Sequence, residues 1–221
     1  MIFYMLLYMV WFHILETVRR DHFYIVEMPI DRKIPFVEAF VVPYFSWFVY
    51  VAAWCITLYY FDRDAYDRLS TYMMVGMTVF LLVSTFLPTK QNLRLAAMPR
   101  NNVFTHMVES LWRTDTPTNV CPSIHVFNTV CILAMVLTST SPCLKKAAVR
   151  VGITIWSIFI CLSTMFIKQH SFFDVVMAIL MMLIITVFIY CFGFVFRFRK
   201  WDAFAAHLEE EAVREKIRNI A

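Results

Sequence analysis

Apolar residues run in six blocks along this chain, at about 1–16, 41–61, 72–87, 124–140, 148–167 and 175–196. Most of these blocks come close to the roughly 20 residues that a helix needs to cross the hydrocarbon core of a bilayer, the first and third being short. Charges close the blocks, as Arg19-Arg20-Asp21 does after the first and Arg197, Arg199 and Lys200 do after the last. Rings with a polar edge gather near several ends (Trp11, Tyr44, Tyr59-Tyr60 and Trp201), as they do at the headgroup level of a membrane. The pattern predicts an all-α polytopic membrane protein with six transmembrane helices, built as a single membrane domain over 1–221. The opening block lacks the basic leader and the small-residue cleavage site of a secretory signal, so it is expected to stay as the first helix.

Composition sharpens this picture. Of 221 residues, 61% are apolar and 17% aromatic, with a mean hydropathy of +0.65, more than a water-soluble fold can bury. Only three glycines and eight prolines argue against a turn-rich all-β chain. Six cysteines, at 55, 121, 131, 143, 161 and 191, never form a C-x-x-C pair, which points to small buried hydrophobes rather than a disulfide framework or a zinc site. A net charge of +4 is small enough that its distribution matters more than its total, and no nucleic-acid partner is expected.

With six spans the termini share a side. That side, taken with the turns near 62–70 and 141–147, collects eleven of the twenty basic residues. The positive-inside rule then puts both termini in the cytoplasm of a multi-pass cell-membrane protein. The tail, 197–221, spaces Trp201, Phe204, Leu208, Val213, Ile217 and Ile220 three to five apart amid charges, the pattern of an interfacial helix. Segment 22–40 is read as lying along the membrane surface.

Chemistry concentrates in two places. The connection 88–122 is far longer than a usual loop and ends Asp115-Thr116-Pro117-Thr118-Asn119-Val120-Cys121-Pro122-Ser123-Ile124-His125, a turn-forming run that opens a helix on a serine and a histidine. Such a helix start is either a plain N-cap or a phosphate site, because its exposed N–H groups and dipole favour an anion. The second cluster, from Ser163 to Asp174, joins the fifth and sixth blocks. Antiparallel spans bring Arg94, Ser123, His125, His170 and Asp174 to one membrane face, opposite the termini.

His170 and Asp174 are four residues apart and so share a helix face, where the carboxylate can hold the imidazole in one tautomer. The pair is either structural or catalytic; ionisable groups at such depth are costly and tend to be functional. An oriented imidazole attacks phosphorus to give a phosphohistidine, and a second histidine, His125, is positioned to protonate the leaving alkoxide and then activate water. Two histidines and one aspartate, without an H-E-x-x-H, fall short of a metal site, so no metal or other cofactor is expected.

These residues resemble the type 2 phosphatidic acid phosphatase superfamily over most of the chain. Cys-Pro-Ser-Ile-His at 121–125 is similar to its second motif, with Ile124 in place of glycine. Ser163-Thr164, five residues, His170, three residues and Asp174 resemble the third, with Thr164 where many members carry arginine. Asn92-Leu93-Arg94 resembles the end of the first, with Leu87 and Leu95 where lysine and proline would stand. The resemblance implies His170 as nucleophile, Asp174 as its orienting carboxylate, His125 as general acid, and Ser123 and Arg94 as phosphate ligands. Lys168, taken as lying on one helical face with Thr164, and Lys90 are candidates for the missing cations, or else lysines that snorkel. The expected activity is metal-independent hydrolysis of a lipid phosphate monoester or diphosphate, with membrane lipids as surroundings. The wording around His170 also resembles the inositol phosphorylceramide and sphingomyelin synthases, which implies transfer to a lipid alcohol as an alternative. A third reading is an inactive relative that binds a lipid or partner.

Overall fold

A computed structural model describes residues 2–18 and 20–197. It contains helices α1 (Ile2–Thr17), α2 (Val41–Phe61), α3 (Arg63–Phe86), α4 (Val103–Thr114), α5 (Ile124–Thr138), α6 (Ala147–Phe166) and α7 (Phe172–Cys191), and two short strands, β1 (Tyr24–Ile25) and β2 (Thr89–Lys90), paired in parallel. The stretch from Glu38 through α2, together with α3, α6 and α7, gives four helices long and apolar enough to cross a membrane. Helices α1 and α5 are as apolar but have only 16 and 15 residues.

Helix α5 lies at the centre, packed by α2, α3, α6 and α7, while α1 leans on α3. Its buried side chains Phe127, Ile132 and Met135 fill the core with Leu69, Tyr72 and Leu81 of α3. Gly76 of α3 lets the two helices meet, since a Cβ there would stand 2.2 Å from the Phe127 ring. Hydroxyl pairs fix other helix contacts: Tyr50 with Ser157 joins α2 to α6, and Tyr72 with Thr186 joins α3 to α7, each at 2.8 Å. Such bonds between apolar helices contribute on the order of 0.6–2 kcal/mol each. The outer faces stay apolar, with Leu6, Val10, Val151, Ile155, Ile184 and Phe188 all exposed, a surface suited to lipid rather than to water.

Three expectations from the sequence need correction. The third helix begins at Arg63 rather than near 72, so 63–70 is helix, not turn. Arg63, Asp64, Asp67 and Arg68 interrupt the apolar pattern but not the helix, because Asp62 caps it by accepting from the Ala65 amide. Asp62 also accepts from Ser139 Oγ and the Thr140 amide, and burial raises its pKa less than these bonds lower it. Second, the connection 88–122 contains a helix of its own, α4, capped by Asn102. Third, the last helix spans Phe172–Cys191 rather than 175–196. Ser171 caps its start, and the chain leaves the helix at Phe192.

The stretch 24–37 forms a strap tied to the helix ends. Its amides bond to the carbonyls of Pro88, Lys90 and Phe166 (from Tyr24, Val26 and Val37), which ties it to β2 and to the end of α6. The tail read as an interfacial helix lies, beyond Arg197, outside the described residues.

Candidate active site

The site forms where α5 and α7 begin. Ser123 is the N-cap of α5, with Oγ accepting from the Val126 amide at 3.4 Å, and Ser171 caps α7 by accepting from the Asp174 amide at 3.2 Å. The Ser123 amide donates to the Asp174 carbonyl at 3.3 Å, which locks the two helix starts together. His170 is the last residue but one before α7, and its Nδ1 lies 3.3 Å from Asp174 Oδ2, which also accepts from the Ser171 amide at 2.9 Å. Asp174 is fully buried, so its bonds leave it one geometry in which to meet the imidazole.

His125, in the first turn of α5, sits with its ring centroid 5.9 Å from that of His170. The first turns of α2 wrap it in aromatic rings: Tyr44 stacks on it at 4.5 Å and 25°, Trp47 tilts over it at 4.3 Å, and Phe48 meets it edge-on at 6.5 Å. Its Nε2 is buried and makes no hydrogen bond among the described residues. Tyr44, Trp47 and Phe48 were not foreseen; their signal was a spacing of three and four residues on one face of the second apolar block.

Arg94 reaches the site from the loop before α4. Its Nη1 donates to the Trp112 carbonyl at 2.8 Å, and its Nη2 donates to the Asp115 carbonyl and to Gln169 Oε1 at 2.5 and 2.8 Å. The guanidinium also lies over Trp112, 5.6 Å from the ring centroid. Burial lowers its pKa and the nearby Asp115 charge opposes this; a guanidinium stays charged in any case. Cys121, just before the α5 cap, has its thiol pushed up, first by burial and then by the Asp174 charge, so it is no nucleophile.

Of the residues predicted for the site, Arg94, Ser123, His125, His170 and Asp174 are brought together. Lys168 is not where the helical-face argument put it. Helix α6 ends at Phe166, Lys168 takes a left-handed backbone (φ 56°), and its ammonium donates to the carbonyls of Asp31 and Ile34 at 3.0 and 2.6 Å. That cation holds the strap; burial lowers its pKa. Asp31, likewise unforeseen, is buried against the start of α7, with Oδ1 accepting from the Phe172 amide at 2.7 Å and Oδ2 from the Met28 amide at 2.7 Å. Lys90 is half-buried in β2, and its ammonium makes no hydrogen bond or ion pair among the described residues. Thr164, at the position where the resembled motif carries arginine, turns its hydroxyl back to the Cys161 carbonyl. Among the described residues no group of three or more His, Cys, Asp or Glu side chains is placed to hold a metal.

A carboxylate-braced imidazole, a second imidazole among aromatic rings and a guanidinium bonded to Gln169, the neighbour of His170, can together carry nucleophilic and acid–base chemistry on an anionic ester. No family model, no curated protein and no solved structure matches the chain.

Proposed function

We propose that this chain is a membrane lipid phosphatase of the type 2 phosphatidic acid phosphatase kind, hydrolysing a lipid phosphate monoester or diphosphate. The observation that carries the reading is the contact between His170 Nδ1 and Asp174 Oδ2, with the His125 ring beside it. A neutral imidazole with Nδ1–H directed at a carboxylate presents the Nε2 lone pair as nucleophile. His170 attacks phosphorus in line with the leaving alkoxide, and the P–O bond breaks as the N–P bond forms. His125, protonated, gives its proton to the alkoxide, then as a neutral base takes one from the water that hydrolyses the phosphohistidine. Arg94 offsets the charge of the transferring group. In this reading all six apolar helices sit in the bilayer, both termini face the cytoplasm, and the histidines open to the other face, where the substrate's headgroup reaches them while its chain stays in lipid.

Purified protein should release phosphate from phosphatidate or a prenyl diphosphate with chelator present. Full turnover by His170→Ala would remove the nucleophile assignment. The hydroxyl of Thr164, spent on its own helix, leaves that position without a cation and favours a second reading: transfer of the phospho-headgroup to a lipid alcohol. Product analysis separates the two, because labelled headgroup then accumulates on a second lipid rather than in water. Should neither product form and vanadate fail to bind, the chain is an inactive relative.

A further inference from the structure

One carboxylate touches the surroundings of both histidines without touching either. Asp115, the C-cap of α4, accepts on its Oδ2 from the Tyr44 hydroxyl at 3.2 Å and from Gln169 Nε2 at 2.7 Å. Tyr44 is the ring stacked on His125, and Gln169 is bonded through the chain to His170. Arg94 closes the network by donating to both the Asp115 carbonyl and Gln169 Oε1, while Trp112, one turn before Asp115, donates from Nε1 to the Ile167 carbonyl at 3.1 Å. The whole of α4 is held in turn to the start of α2 by Glu38, which Arg100 grips at 2.8 and 2.7 Å and Asn102 at 3.0 Å.

We infer that Asp115 is a positioning residue, whose Oδ2 sets the separation of the two imidazoles by holding Tyr44 over His125 and Gln169 beside His170. The inference rests on the reading of the histidines as a working pair. Its physical basis is that a single oxygen takes bonds from α2 and from the α6–α7 turn, which adds to the Trp112 and Glu38 links a register between the groups beside the two histidines. A negatively charged acceptor also makes shorter and stronger bonds than a neutral one. Helix α4, which the apolar pattern did not reveal, thereby serves the site by delivering this carboxylate.

The test uses the full chain in detergent micelles with isotope-labelled histidine, the His125 and His170 ring signals being assigned by His125→Ala and His170→Ala. Asp115→Ala should move both ring signals and lower kcat on a lipid phosphate by about a hundred-fold, as a displacement near 1 Å does, with KM nearly unchanged. Asp115→Asn keeps an oxygen that accepts both bonds; its ring signals should stay in place and kcat should return to within about ten-fold. Tyr44→Phe, which deletes only the hydroxyl, should move the His125 signal and leave that of His170, and it decides the matter if Asp115→Ala does not fold. Glu109→Ala, on the same helix outside the network, should move neither. Unmoved ring signals in Asp115→Ala, or in Tyr44→Phe, overturn the inference. If the signals respond as expected but the unaltered protein turns over no lipid phosphate, positioning stands and the proposed activity falls; the reverse result spares the activity and removes the positioning.

Discussion

Replacing Gly76 by alanine puts the helix packing beneath the site to a quantitative test. A Cβ at 76 would lie 2.2 Å from both Cε1 and Cζ of Phe127 and 3.0 Å from Cδ1. Carbon atoms rest at about 3.5–4.0 Å, so the ring must retreat by more than about 1 Å. Phe127 is fully buried between α3 and α5, and a retreat either strains its rotamer or parts the helices. Overpacking of this sort costs about 1–3 kcal/mol, and a clash with two ring atoms belongs at the upper end. Alanine returns about 1 kcal/mol of helix propensity, leaving a net loss of about 2 kcal/mol.

Gly152 of α6 supplies the control, because nothing lies within 4 Å of its Cβ position. Gly152→Ala should keep the propensity gain and stabilise by up to about 1 kcal/mol. For a chain of this length each kcal/mol moves the midpoint about 2–4 °C, so thermal unfolding in one detergent should place Gly76→Ala about 4–8 °C below the unaltered protein and Gly152→Ala slightly above it. Adding Phe127→Leu should recover part of the Gly76→Ala loss, a coupling that contacting residues show and distant ones do not. Equal midpoints for the two alanine variants, or no coupling with Phe127, would refute the α3–α5 contact.

The Glu38 clasp is tested by truncation. Because the Arg100 side chain is 63% exposed, Arg100→Ala should cost only about 1 kcal/mol by thermal unfolding. Lys168→Met keeps the apolar stem and loses two charge-assisted bonds to the strap, so it should destabilise by about 2 kcal/mol while leaving KM for a lipid phosphate in place; a raised KM with unchanged stability would return Lys168 to the phosphate. Ser123→Ala removes the α5 cap and should cost about 1 kcal/mol in the same unfolding assay, with Ser123→Asn recovering most of it.

What the sequence disclosed was local. A spacing of four put His170 and Asp174 on one side of a helix start, and the count of apolar blocks brought His125 to the same end, because both inferences need only periodicity and antiparallel order. The 63–71 stretch of α3 escaped notice since its charges mask the apolar period, although the cap at Asp62 was there to be read. Helix α4 was hidden by its length of 12 residues and its mixed polarity. Asp31, Asp115 and Gln169 join the site through contacts between residues 54 to 141 apart, which no local pattern encodes. The helical placement of Lys168 failed for a backbone reason: the face argument assumed a helix that ends two residues earlier.

The proposed chemistry turns on His170 as the residue that takes the phosphoryl group. Rapid mixing of the purified protein with a lipid phosphate radiolabelled on phosphorus, followed by alkaline quench, should leave acid-labile label on the unaltered protein and none on His170→Ala. Label retained by His170→Ala, or no label on the unaltered protein while it releases phosphate in the same samples, would contradict it.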